Sequence, residues 1–137
     1  MNTKFIVSSL VMAVASLITG FLIHAVALHS AYASLPNLYR SESSQMEYMP
    51  FMLLHHLLIG IGLTWIYRCG LGHWTGKGFL EQGVRFGLAI AVVSTIPTFL
   101  IYFAVQPIPS DVVKVQIILS SASMGLLGMI VAWLNKS

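Results

Sequence analysis

Charge is what this sequence has least of. Only 8% of its 137 residues are Asp, Glu, Lys or Arg, and just four are acidic, where soluble domains carry roughly a quarter charged residues. A chain so poor in charge cannot dress a water-facing surface. Its 57% hydrophobic content and mean hydropathy of +0.84 point instead to lipid as the solvent. The net charge of +3 is too small and too scattered for a nucleic-acid footprint. Cysteine is represented once, by Cys69, which excludes an internal disulfide and any CxxC redox or zinc pattern. Paired carboxylates, an HExxH pattern and an activated Ser or Cys are also missing, so an enzyme is not expected.

What the sequence does have is four long apolar runs, at about 5–28, 48–67, 83–105 and 112–134. Each is close to the roughly 20 residues that a helix needs to cross a hydrocarbon core of about 30 Å. No run contains an acidic residue, and turn chemistry separates them: Ser34, Pro36 and Asn37; the Gly70, Gly72, Gly76 and Gly78 series; and Pro107, Pro109, Ser110 and Asp111. Ser44 with Glu47 has the spacing of a capping box for the second helix, and Ser110 or Asp111 can cap the fourth. The expected fold class is all-α, an integral membrane four-helix bundle in a single domain. With a cytoplasmic N-terminus, Lys4, Arg68, Lys77, Arg85 and Lys136 fall inside, and only Arg40 and Lys114 fall outside. The positive-inside rule therefore sets both termini in the cytoplasm. Tyr67, Trp74 and Trp133 on one side, and Tyr39, Tyr48 and Tyr102 toward the other, sit where interfacial anchors belong. Ala31-Tyr32-Ala33 has the form of a signal-peptidase site, but the apolar run before it is longer than the roughly 7 to 15 residues of a signal h-region.

Helices in lipid associate through close backbone approach, which small residues at every fourth position permit. Such stripes run through Ser9, Ala13, Ser16, Gly20 and His24; through Gly83, Gly87, Ala91, Ser94 and Thr98; and through Ser121, Gly125, Gly128 and Ala132. The second helix offers Gly60 and Gly62, with His56 and Thr64 on the Gly60 face. Pro97 must free the Val93 carbonyl, which the hydroxyls of Ser94, Thr95 and Thr98 are near enough to satisfy.

The four-helix topology puts His24, His55 and His56 in the same outer half, with Thr98, Tyr102, Gln116 and Ser120 at similar depth. Their stripes predict that His24 and His56 point into the bundle and help line a polar pocket. Three uses are open. The side chains can hydrogen-bond one another and fix helix register. No cofactor is then needed. Alternatively His24 and His56 can serve as axial ligands of a b-type haem, or His55 and His56 can join Met49 and Met52, on the Met46, Met49, Met52, His55 spacing of three, as a soft copper site. In the third use the cluster handles a proton or a small solute. Glu81 and Arg85, four apart, form a candidate ion pair at the cytoplasmic start of the third helix. The glycine-rich run 72–78 lacks GxxxxGK[ST] spacing and is no nucleotide loop, and Trp74, Phe79 and Leu80 suit the headgroup region.

The segment Glu81-Gln82-Gly83-Val84-Arg85-Phe86-Gly87, its apolar continuation to Pro97 and the small-residue fourth helix resemble a group of uncharacterised bacterial four-helix membrane proteins. The resemblance covers about the last 60 residues. It implies a multi-pass protein of the bacterial inner membrane, and it implies no activity. The expected partners are the lipid bilayer and further subunits, in a homo-oligomer or a larger membrane complex. The long outer segment 29–47 is the expected partner-facing surface.

Overall fold

Asn2 opens the first helix as its N-cap, its side chain accepting a hydrogen bond from the Lys4 backbone N–H at 3.0 Å. From there the chain is all-helical, with no strand among the described residues. The structure is a computed structural model, and it describes residues 2–40, 42–70 and 78–136. Four helices are long and apolar enough to cross a membrane: Thr3–Ala27, Ser43–Cys69, Phe79–Val105 and Ser110–Asn135, called spans 1 to 4 below. Spans 1 and 4 meet at the end carrying Lys4 and Lys136, called the terminal end; the other is the distal end. The glycine-rich run with Trp74 and Lys77 lies outside the described residues, apart from Gly78.

Two close pairs build the bundle. Span 1 packs on span 2, and the first half of span 3 packs on span 4, with spans 1 and 4 joining the pairs. The small-residue stripes explain both pairings. A Cβ on Gly60 would stand 2.6 Å from the Ala13 backbone nitrogen, and one on Gly128 would stand 2.8 Å from the Gly87 nitrogen, so in each pair backbone lies against backbone. Gly62, by contrast, faces open space. Met12, Leu63, Tyr67, Phe86, Leu127, Val131 and Ala132 fill the centre, toward the terminal end.

Wide π turns interrupt spans 1 and 3. In span 1 the α-helix ends at Phe21 and a π segment runs over Leu22–Ala27; in span 3 a π segment occupies Ala91–Thr95 before the helix resumes at Ile96–Val105. A π turn carries an extra residue, so it shifts the phase of everything beyond it. The span 3 stripe is accordingly buried at Gly83, Gly87 and Ala91, but Ser94 and Thr98 are exposed. Ile96–Val105 has no buried residue. Pro97 sits in the first turn of that segment, where a missing N–H is tolerated. The Ser94 hydroxyl donates to the Ile90 carbonyl at 2.8 Å, in place of the Val93 carbonyl expected from the proline alone.

Two expected caps are not formed. Helical structure begins at Glu42, so Ser44 lies within the first turn and is not its cap. Pro109 occupies the N-cap position of span 4, and the Ser110 hydroxyl donates to Asp111 Oδ1 at 3.3 Å without capping the backbone. Span 3 starts at Phe79, a turn ahead of the expected 83, because Gly78 in an extended conformation lets the helix begin there and Glu81 favours its first turn.

Candidate functional site

At the distal end the histidines separate into two centres. The first is held by span 2. The phase of span 2 that buries Gly60 and Thr64 also turns His56 toward span 1, where its Nδ1 lies 2.8 Å from the Ser16 hydroxyl. Gly20 leaves room for the ring: a Cβ there would stand 2.9 Å from His56 Cε1 and 3.3 Å from Nε2. Both ring nitrogens thus face span 1. His55 is exposed and presents its ring edge-on to His56, with centroids 4.9 Å apart and planes at 79°.

The second centre uses residues that the apolar pattern did not mark. Beyond the π turn of span 1, the chain bends at Leu28 and a short helical turn, His29–Ala33, follows. This brings the Tyr32 hydroxyl to 2.7 Å from His24 Nδ1 and stacks the two rings. Gln116 of span 4 is 4% exposed and donates through Nε2 to the hydroxyls of Tyr32, at 3.0 Å, and Tyr39, at 3.5 Å. The Tyr32 and Tyr39 rings lie 4.3 Å apart. The Tyr32 hydroxyl accepts from Gln116 and pairs with His24 Nδ1, and the tautomer of the imidazole sets which of those two partners donates. Burial pushes the Tyr32 phenol up to about 12, opposed by the hydrogen bond from Gln116 and reinforced by Tyr39.

His24 is therefore not directed into the bundle as its stripe predicted. It is exposed, because the π turn rotates it off the line of Ser16 and Gly20. It shares no hydrogen bond with His56, although His24, His55 and His56 are close enough to interact electrostatically. Of the residues expected around a polar pocket, Gln116 and Ser120 are buried on span 4, whereas Thr98 and Tyr102 are exposed beyond the π turn of span 3. Tyr32 and Tyr39 take the place expected for them. Met49 is half-buried, while Met46 and Met52 are exposed. Among the described residues no three His, Cys, Asp or Glu side chains gather as a metal centre. The acceptor Oε1 of Gln116 has no partner among the described residues.

The terminal end carries a second polar network. Tyr67, 1% exposed, donates its hydroxyl to Gln82 Oε1 at 2.8 Å and packs edge-on against Phe86. Arg68 donates to Asn135 Oδ1 at 2.9 Å, and Asn135 Nδ2 donates to Ser8 Oγ at 3.3 Å and to the Val131 carbonyl at 2.9 Å. Arg85 Nη2 lies 2.8 Å from Glu81 Oε1 on the exposed flank of span 3.

No family model, no curated protein and no solved structure matches this chain. The distal cluster is a chain of hydrogen-bonding groups. Its chemistry is that of a tie between helices and the loop that crosses them.

Proposed function

We propose that this protein is a small multi-pass membrane subunit with a structural or interaction role and no catalysis of its own. The observation that carries this reading is how unevenly the spans are covered. The apolar windows of spans 2 and 3 are 17% and 11% buried, against 28% for spans 1 and 4. The uncovered parts are their distal halves, and these include polar side chains: His55, Thr98 and Tyr102. Polar groups left facing hydrocarbon are costly, and interhelical contacts are where membrane helices place them. A partner's helices, from a second copy or from another subunit, supply that contact here. His24 and His56, engaged with Tyr32 and Ser16, act as internal ties that hold the partner-facing halves in place.

Both termini are cytoplasmic in this reading. Among the described residues Lys4, Arg68, Arg85 and Lys136 belong to the terminal end and Arg40 and Lys114 to the distal end, and this asymmetry supports a multi-pass orientation in a bacterial inner membrane.

Photocrosslinking in intact membranes tests the role. A benzophenone side chain at position 55 or 102 is expected to give discrete protein adducts, whereas one at position 14, on the exposed apolar flank of span 1, gives none. Lipid adducts alone at all three positions would remove the interaction reading.

A further inference from the structure

At the terminal end three cations converge on one helix terminus, and among the described residues none of the three is paired with an acidic side chain. The Lys4 ammonium donates to the Lys136 carbonyl at 3.2 Å, so the first turn of span 1 touches the end of span 4. Arg68, in the last turn of span 2, is tied at 2.9 Å to Asn135, the neighbour of Lys136. The Lys136 ammonium lies over the rings of Phe79 and Trp133, 5.6 and 5.7 Å from their centroids. The sequence holds only four acidic side chains. Glu42 precedes span 2, Glu47 lies in its first turns and Asp111 starts span 4, all at the distal end, and Glu81 is engaged by Arg85.

We propose that this cluster binds the phosphate of an anionic phospholipid. Asn135 takes one of the five N–H donors that a guanidinium carries, and fixes Arg68 with the rest of its fork available to phosphate oxygens. Lys4 and Lys136 flank it as point charges. A lipid is favoured over a free anion because the cations sit at the end of apolar helices, beside Phe79 and the exposed indole of Trp133, the level at which headgroups and aromatic anchors meet. The site rests on the membrane-spanning reading but not on any protein partner.

Trp133 makes the site readable. In a Trp65→Phe/Trp74→Phe background reconstituted into phosphatidylcholine nanodiscs, a minor fraction of brominated phosphatidylglycerol is expected to quench Trp133 about threefold more effectively than the same fraction of brominated phosphatidylcholine. Lys4→Gln/Lys136→Gln, both at exposed positions, should remove most of that excess, and Arg68→Gln the remainder, while Arg68→Lys keeps part of it. Equal quenching by the two lipids in the unsubstituted cluster overturns the site, as does an excess that survives the Gln substitutions. Loss of the excess on adding inorganic phosphate at constant ionic strength reassigns the cluster to a free anion and overturns the lipid assignment. Absence of quenching by either lipid would sink the membrane-spanning reading with it, whereas the crosslinking result at positions 55 and 102 stands or falls separately.

Discussion

Ser16 Oγ and His56 Nδ1, forty residues apart in the chain, stand 2.8 Å from each other between spans 1 and 2. The contact joins a half-buried histidine of span 2 to a 6% exposed serine of span 1. Hydrogen bonds between membrane helices contribute about 1 kcal/mol. A double-mutant cycle of Ser16→Ala and His56→Ala, read by reversible unfolding in bicelles, should return a coupling energy of that size; additive effects would show the bond contributes nothing.

Glycine substitutions should discriminate between packed and open positions. Gly60→Ala and Gly128→Ala push a methyl into the backbone of a neighbouring span and should each destabilise by about 2 kcal/mol, the usual cost of overpacking. Gly62→Ala meets nothing and should stay within about 0.5 kcal/mol of the parent. The comparison can be made in the same unfolding assay.

Asn135 and Arg85 set buried and exposed polarity side by side. Asn135→Leu strips a 4% exposed residue of its bonds and leaves Ser8 and Arg68 without a partner, a loss of about 2 kcal/mol. Arg85→Gln removes an exposed ion pair and should cost less than about 0.5 kcal/mol. Equal effects from the two would show that the terminal network is not a structural tie.

Tyr32 makes a pH prediction. Its folded-state value, raised to about 12 from an ordinary value near 10, means that the neutral phenol is favoured in the folded protein. That contribution is complete below about pH 10 and is lost as pH rises through about 12. In an alkaline titration followed by phenolate absorbance, Tyr32→Phe should delete the highest-titrating component. Gln116→Leu removes an opposing hydrogen bond and should move that component higher still; a shift downward would contradict the chain described above.

Much of this fold was legible because lipid imposes simple rules. Four apolar runs become four helices, and Ser9, Ala13, Ser16 and Gly20 correctly mark the face that meets Gly60 and His56. The misreadings have a common origin in constant helical phase. His24, Thr98 and Tyr102 each lie within or beyond a π segment, where a repeat of 3.6 residues no longer tells which way a side chain points. Tyr32 and Tyr39 were hidden for another reason. They occupy the long outer segment, which has no apolar periodicity, and only the bend at Leu28 and the short helical turn after it bring them to Gln116. Arg68 and Asn135 were readable as end-of-helix polar residues, but their pairing depends on which helix ends become neighbours.

The two helix pairs also imply an order of events during synthesis. Span 1 closes on span 2 through Gly60, and span 3 on span 4 through Gly87 and Gly128, so each hairpin can form from neighbouring parts of the nascent chain. The tie among Ser8, Arg68 and Asn135 is different, since it links the first turns of span 1 to the last turn of span 4. It can form only after every other helix has been made. Asn135 therefore acts as a latch on completed assembly, and a chain shortened before it would leave the two hairpins joined by Tyr67–Gln82 and Gln116–Tyr32 but without the tie that gathers the terminal ends of spans 1, 2 and 4.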